Sequence, residues 1–160
     1  MTQRYESHCC YELGLTNEKV SSLESLLERA LAEEPVDEVW KCEDCETRAE
    51  GSIRTHVARW PPIFAVALNR FAYDARRGEL VKINRRVTFP EFYTVAEGVR
   101  YQLHGIIEHQ GQAGGGHYVA YTRASDGHWY FCNDSAPLVK FLWLPSFRNR
   151  HTCSSTKRLP

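Results

Sequence analysis

The sequence has no apolar run long enough to cross a membrane as a helix, and its first residues do not form a signal peptide. Lysine plus arginine number 20, as do aspartate plus glutamate, so no excess of positive charge points to nucleic acid or to an anionic membrane. The six cysteines show no spacing typical of a disulfide framework. We therefore expect reduced thiols, a cytoplasmic or nuclear location, and neither nucleic acid nor a membrane as partner.

Internal repeats and low-complexity segments are also lacking. The composition is that of a folded protein, because hydrophobic residues make up 42% of the 160 residues and aromatic residues 12%, enough to bury one core. We expect one domain over residues 1–145, followed by a polar, frayed tail over residues 146–160.

One helix is expected between Ser21 and Pro35, where leucines and alanines form a single apolar stripe. Ser21 and Glu24 fit a capping box at its start, and Pro35 marks its end. Residues 63–73 form a long apolar run that predicts a central strand. Most other segments also have strand patterns, so the sequence predicts an α+β fold with a mostly antiparallel sheet and one amphipathic helix.

The most informative stretch runs from residue 114 to residue 135. Residues 117–123 have the polar and aromatic alternation of a strand, Ser125-Asp126-Gly127 is a turn signal, and Trp129-Tyr130-Phe131-Cys132 is a second strand-like run. A hairpin of these two strands would bring His117 beside Asn133 and Asp134. Residues 110–116 are expected to form a glycine-rich loop that leads into His117.

A histidine beside an amide or a carboxylate is the base and orienter of a nucleophilic triad, in which the second group holds the ring so that one nitrogen can accept a proton. Gly114, Gly115 and Gly116 would let a backbone approach an extended substrate closely. A lone histidine or a glycine run is more often structural. Their combination, with Asn133 one hairpin later, favours a catalytic pair.

Cys42 and Cys45 have the spacing with which two thiolates reach one tetrahedral zinc ion. A structural zinc site needs four ligands, and the sequence has no second Cys-x-x-Cys. The half site could be completed by another chain or by sequence not present here, could recruit His8 or a distant cysteine, or could hold no zinc. We expect an incomplete, unoccupied site.

Several of these motifs together resemble the ubiquitin-specific proteases, which are cysteine-type deubiquitinases. Gly116-His117-Tyr118-Val119-Ala120-Tyr121, followed by Trp129-Tyr130 and Asn133-Asp134-Ser135, is similar to the histidine box of that family. The segments upstream match other family motifs in the same order: Trp40–Cys45, Trp60–Phe71, Lys82-Ile83 and Val87–Pro90. The resemblance covers roughly residues 5–144.

The resemblance implies part of a papain-like cysteine protease fold, described as palm and fingers, and hydrolysis of the bond after the C-terminal Gly-Gly of ubiquitin. It implies that His117 is the base, Asn133 the orienter and Asp134 the second acidic position. Gly114, Gly115, Gly116 and Tyr118 would border the channel for the ubiquitin tail. Ubiquitin and ubiquitinated proteins are the implied partners, and no cofactor is required beyond a structural zinc ion if a second cysteine pair is supplied.

The family's nucleophilic cysteine opens a helix in a motif such as Gly-x-Thr-Cys-Tyr, and this sequence contains no such motif. We therefore expect the isolated chain to be inactive, as a fragment of a deubiquitinase whose nucleophile lies in other sequence. A non-catalytic ubiquitin-binding or scaffold module is the alternative. A papain-like peptidase acting on another substrate is a third, weaker interpretation.

Overall fold

A computed structural model describes residues 4–15, 22–41, 48–95, 98–141 and 152–158 of the chain. Within these ranges no helix is long and apolar enough to span a membrane. The elements of these ranges are, in chain order, β1 (Tyr11–Gly14), α1 (Leu23–Ala30), β2 (Glu33–Lys41), β3 (Arg48–Arg54), β4 (Ile63–Asn69), β5 (Phe71–Asp74), β6 (Glu79–Lys82), β7 (Phe92–Thr94), β8 (Arg100–Gln112), β9 (Gly115–Arg123), β10 (Trp129–Cys132), β11 (Val139–Phe141) and β12 (Thr152–Arg158).

Eight of these strands form one sheet in the order β1-β4-β12-β8-β9-β10-β11, with β7 also paired to β8. The pairing of β1 with β4 is parallel, and the other pairings in this sheet are antiparallel. Two further ribbons, β2–β3 and β5–β6, stand outside the sheet. The predicted α+β fold, mostly antiparallel with one helix, is confirmed.

The core consists of two apolar clusters on this sheet. The larger cluster packs α1 against β1, β4 and the start of β8, and the smaller cluster lies beneath β8, β9 and β10. Tyr101 connects the sheet to the chain before β4, because its fully buried hydroxyl donates a hydrogen bond of 2.6 Å to the carbonyl oxygen of Pro61. The smaller cluster matters most for function, because it anchors the hairpin that carries His117. Its buried members are Leu103, Ile106, Val119, Tyr121 and Trp129.

The helix starts one residue later than the predicted capping box. Ser22 is the N-cap and its hydroxyl accepts a hydrogen bond of 3.2 Å from the backbone N–H of Ser25, whereas Ser21 lies outside the described residues. A tertiary contact fixes this start, because Ser22 bridges Thr88 and the N–H of Leu23 donates to the Thr88 carbonyl. Pro35 does not stop the helix, since α1 ends at Ala30 and Pro35 lies in β2.

The apolar run over residues 63–73 forms two strands instead of one. β4 is an interior strand of the sheet, as predicted, but β5 leaves the sheet and pairs with β6. The break lies at Arg70, whose side chain is only 4% exposed and donates to the carbonyl oxygens of Ile83 and Arg85. A hydrophobic pattern cannot reveal this break, because both halves are apolar.

The prediction of a frayed C-terminal tail is wrong for residues 152–158. These residues form β12, which lies between β4 and β8 and pairs with both. Strands β4 and β8 each have a row of backbone donors and acceptors that needs a partner, and β12 supplies that partner. The strand was not foreseen because its sequence is polar and has no hydrophobic alternation.

The expected glycine-rich loop over residues 110–116 is also mostly strand. β8 and β9 pair up to Gln112 and Gly115, so residues 113 and 114 alone make the turn. Gly111 has a φ of +128°, and a Cβ at this position would lie 2.6 Å from the Gly115 carbonyl oxygen. The glycines therefore allow the two strands to approach closely rather than ending them.

Gly116 and Gly115 make a matched pair for a test of this close approach. A Cβ on Gly116 would overlap the Gln110 carbonyl oxygen and the His109 ring, whereas a Cβ on Gly115 would meet no atom within 4 Å. We expect Gly116→Ala to lower the free energy of unfolding by about 1–3 kcal/mol through overpacking, and Gly115→Ala to change it by less than about 0.5 kcal/mol. Chemical denaturation of both variants measures this difference, and equal stabilities would show that the approach at Gly116 is not required.

Candidate functional site

His117 is the third residue of β9 and lies where the buried face of the sheet reaches solvent. Side chains alternate along a strand, so His117 shares a face with Val119 and Tyr121, which are 3% and 4% exposed. The His117 side chain itself is 45% exposed. The apolar core therefore holds the strand in place, while the imidazole at its end can still meet a substrate.

The predicted hairpin of β9 and β10 is confirmed. The turn over Ser125-Asp126-Gly127 is closed by a backbone hydrogen bond of 2.9 Å from Ala124 to His128, and Gly127 has a φ of +80°. The Asp126 carboxylate accepts hydrogen bonds from the His128 N–H at 2.9 Å and from the Tyr130 hydroxyl at 2.8 Å. These two bonds lower the pKa of Asp126, the His128 amide contributing most. The carboxylate thus stabilises the turn at neutral pH, and this contribution is lost as the pH falls from the usual pKa of aspartate through the lowered pKa of Asp126.

Asn133 follows β10 directly, and its side chain reaches back to His117. The Nε2 atom of His117 and the Oδ1 atom of Asn133 are 2.5 Å apart. A tight turn fixes Asn133, because its carbonyl accepts a hydrogen bond of 2.8 Å from the Ala136 N–H and Asp134 adopts a φ of +41°. Aspartate tolerates this left-handed conformation better than most residues do. The structure thus brings together the two residues predicted to be base and orienter.

The contact with Asn133 also determines which nitrogen of His117 can act as a base. An amide oxygen can only accept a hydrogen bond, so the proton on the neutral ring is placed on Nε2. The other nitrogen, Nδ1, then keeps its lone pair and can accept a proton from a nucleophile. The contact with Asn133 thus determines both the tautomer and the orientation of the His117 ring.

Asp134 plays a different part from Asn133. Its Oδ2 atom lies 3.8 Å from His117 Nε2, too far for a hydrogen bond, and its side chain is 77% exposed. At this distance the Asp134 carboxylate can act on the ring only through a Coulomb interaction that solvent screens.

An aromatic row that was not predicted lies on the hairpin of β8 and β9, on the face opposite His117. The ring centroids of His109 and Tyr118 are 4.8 Å apart, and those of His109 and Phe71 are 5.6 Å apart. Phe71 and Tyr118 are 44% and 62% exposed. His109 and Tyr118 are register partners in β8 and β9, so they could have been found from the sequence if the hairpin had been extended through the glycines.

The four predicted channel residues lie at the turn end of the β8–β9 hairpin. Gly114 lies in the turn, and Gly115 and Gly116 begin β9, which continues to Tyr118. Side chains on Gly114 or Gly115 would meet no atom within 4 Å, so one side of the hairpin end is open. His117 and Tyr118 point to opposite faces of this end.

The cysteines with described side chains do not lie at the base. Cys132 is the register partner of Ala120, so its thiol is on the face opposite His117, where it lies 3.8 Å from the Thr122 hydroxyl. Cys9 and Cys10 precede β1, which three strands separate from β9, a distance of about 19 Å. Cys42 and Cys45 lie outside the described residues. Among the described residues, no group of three or more histidine, cysteine, aspartate or glutamate side chains could hold a metal ion.

The chain is similar in sequence to known proteins. The sequence model of the family described as ubiquitin carboxyl-terminal hydrolase matches residues 10–137. Ubiquitin carboxyl-terminal hydrolase 23 of Arabidopsis thaliana is 32% identical over 147 residues, which cover 81% of this chain and 17% of that protein. Ubiquitin carboxyl-terminal hydrolase 15 of Bos taurus is 31% identical over 137 residues, which cover 79% of this chain and 13% of that protein.

Solved structures show the same fold at lower identity. A chain in the SAGA Ubp8/Sgf11/Sus1/Sgf73 DUB module bound to ubiquitin aldehyde matches with a TM-score of 0.80 and 19% identity, covering 94% of this chain and 36% of that chain. The present chain thus spans less than a fifth of the two curated relatives and about a third of the solved chain. Because the family model matches residues 10–137, the chain belongs to the ubiquitin carboxyl-terminal hydrolase family, and it has the fold of part of the solved chain.

Proposed function

We propose that this chain is the histidine-bearing part of a thiol-dependent deubiquitinase that hydrolyses the bond after the C-terminal Gly-Gly of ubiquitin. The observation that carries the proposal is the contact of His117 Nε2 with Asn133 Oδ1, which leaves Nδ1 free as a base. Ubiquitin and ubiquitinated proteins are the proposed partners. A relative of the same fold was solved with ubiquitin aldehyde, which supports ubiquitin as the ligand.

The nucleophile in this proposal is a cysteine from sequence outside the chain, because the sequence lacks the family's cysteine motif and no cysteine with a described side chain lies beside His117. Its thiol proton passes to Nδ1 as its sulfur bonds to the carbonyl carbon of the last glycine. The protonated ring then gives that proton to the leaving amine, and the C–N bond breaks to leave a thioester. A water molecule loses a proton to the same nitrogen while its oxygen attacks, and the C–S bond breaks to release ubiquitin.

Each site residue has a distinct part in these steps. Asn133 holds the ring so that Nδ1 faces the thiol, and Asp134 stabilises the ring while it is protonated. Gly114, Gly115 and Gly116 form the end of the hairpin that the ubiquitin tail would cross. Tyr118, with Phe71 and His109, would form an apolar wall on the far face.

A non-catalytic ubiquitin-binding module is the second candidate. The observation in its favour is that no cysteine with a described side chain reaches the base in this chain. The retained pair of His117 and Asn133 favours the catalytic candidate, since binding alone does not require a base with an orienter. The proposed setting of either protein is the cytoplasm or the nucleus, where thiols stay reduced.

The orienting role of Asn133 can be tested on the chain alone. In the native chain the two ring nitrogens of His117 should have ¹⁵N shifts of a single Nε2–H form. Asn133→Ala should move both shifts toward the averaged values of a free imidazole, because the acceptor is lost. Asp134→Ala is the matched control and should leave the shifts in place. Unchanged shifts in Asn133→Ala would show that Asn133 does not orient the ring.

The catalytic role of His117 requires the missing nucleophile. We expect no turnover of a fluorogenic ubiquitin C-terminal amide by the isolated chain, and turnover by a fusion with the cysteine-bearing segment of a relative. In that fusion His117→Ala should reduce kcat/KM by roughly 100-fold or more, and Asn133→Ala by less. His128→Ala, in the turn of the same hairpin, is the control that should retain activity.

Two outcomes of that assay would contradict the fragment proposal. If the isolated chain turned over the substrate and a ubiquitin-tail probe attached to one of its six cysteines, the nucleophile would lie within this sequence. If the fusion bound ubiquitin but His117→Ala left its turnover unchanged, the chain would serve as a binding module alone.

We also propose that Cys42 and Cys45 form half of a zinc site that holds no zinc in this chain alone, and that hydrolysis requires no cofactor. Two thiolates hold zinc far more weakly than the four ligands of a structural site. Mass spectrometry of the purified chain under native conditions should therefore find well below one equivalent of zinc. Stoichiometric zinc that resists a chelator, and is lost in Cys42→Ser, would reveal two further ligands.

A further inference from the structure

Lys82, the last residue of β6, makes two hydrogen bonds that have no part in the proposed reaction steps. Its ammonium nitrogen Nζ donates hydrogen bonds to the carbonyl oxygens of His109 and Gly111, at 2.9 Å and 2.8 Å. Both acceptor residues lie near the C-terminal end of β8, close to the turn that leads into β9. The Lys82 side chain thus connects the β5–β6 ribbon to the β8–β9 hairpin that carries His117.

These two carbonyls occupy a gap in the sheet. The pairing of β12 with β8 ends at Glu108, which is the register partner of Thr152. Strand β8 continues to Gln112. Beyond Glu108, the edge of β8 that faces away from β9 has no strand partner within the described residues. Along a strand, alternate carbonyls point to the same edge, and those of His109 and Gly111 both accept hydrogen bonds from Lys82 at this edge.

This part of β8 lies beside His117, on the adjacent strand. His109 and Gly111 flank Gln110, and Gln110 is the register partner of His117. The Lys82 side chain therefore holds the β8 backbone at the two neighbouring register pairs, His109 with Tyr118 and Gly111 with Gly116. Movement of this end of β8 would change the position of His117 relative to Asn133.

Lys82 is itself held by buried neighbours. The N–H of Ile83 donates a hydrogen bond of 2.7 Å to the Arg70 carbonyl, and the Arg70 guanidinium donates back to the carbonyls of Ile83 and Arg85. Partial burial and the charge of Arg70 lower the pKa of Lys82, while the Glu108 carboxylate opposes that change. The ammonium group thus lies among fixed partners, where a charged donor makes strong hydrogen bonds.

We propose that Lys82 is a positioning residue for His117, which holds this end of β8 through the carbonyls of His109 and Gly111 and thereby sets the alignment of the His117 ring with Asn133. This role rests on the proposed function of His117 as a base. It makes a prediction about the ring itself, however, which can be measured without ubiquitin, without the nucleophile and without turnover.

The test uses three variants of the chain. Lys82→Met keeps most of the side-chain length and removes the donors, and Lys82→Arg keeps a cation with several donors. Lys140→Met is the matched control, because the Lys140 ammonium is 46% exposed and lies 3.8 Å from Asp126 on the opposite side of the hairpin. The readouts are the ¹⁵N shifts of the His117 ring and the hydrogen exchange of backbone amides.

We expect Lys82→Met to move the His117 ring shifts toward those of a free imidazole and to speed amide exchange at Gln110 and His117 by roughly tenfold. Exchange at the buried Val119 and Tyr121 should stay near its native rate. Lys82→Arg should restore most of both signals, and Lys140→Met should change neither. If Lys82→Met does not fold, Lys82→Gln takes its place, and a partial shift of the ring signals is then expected.

Two results would overturn the proposal. One is a native His117 ring signal in the folded Lys82→Met or Lys82→Gln variant. The other is an increase in exchange that is equal at Val119, Tyr121 and His117, since that would indicate a general loss of stability. A native ring signal in the variants combined with an inactive His117→Ala fusion would reject Lys82 alone, whereas an active His117→Ala fusion would reject the proposed function.

Discussion

The register between β8 and β9 is the constraint on which the site depends. Side chains in a strand alternate with a period of two, so a slip of one residue between β8 and β9 would move His117, together with Val119 and Tyr121, off the face that packs on the core. Glycines maintain this register, because only residues without a Cβ fit where Gly116 meets the His109 ring and where Gly111 meets Gly115. The same glycines therefore serve the fold directly, whatever further part they play in admitting an extended substrate.

His117 and Asn133 are close in sequence as well as in space, since sixteen positions separate them. The β9–β10 hairpin over one apolar cluster is enough to align the two side chains. The orientation of the His117 ring is therefore a local property of this hairpin, which a chain that spans a small fraction of its relatives can keep. In the proposed reaction, the nucleophile would come from a separate part of the fold.

The parts of the structure that were predictable are those set by local chemistry. The Ser125-Asp126-Gly127 turn and the alternating strands beside it predicted the His117–Asn133 contact. The N-cap at Ser22, the break at Arg70 and the strand β12 were missed, because each is fixed by contacts with residues distant in sequence. Lys82 was missed for a related reason: a basic residue in a polar segment is usually solvated, and nothing local shows that two backbone carbonyls lie within its reach.

The use of a side chain instead of a strand behind β8 has a structural consequence. An additional strand would satisfy the carbonyls of His109 and Gly111, but it would also extend the sheet beside the glycine end of the hairpin and cover part of it. A lysine provides the same hydrogen bonds through one flexible stem and leaves that end open. The hairpin can therefore extend beyond β12, expose His117 on one face and the Phe71–His109–Tyr118 row on the other, and remain fixed at its base. Support by a side chain at this edge would thus hold His117 in place and leave room for the extended substrate of the proposed reaction.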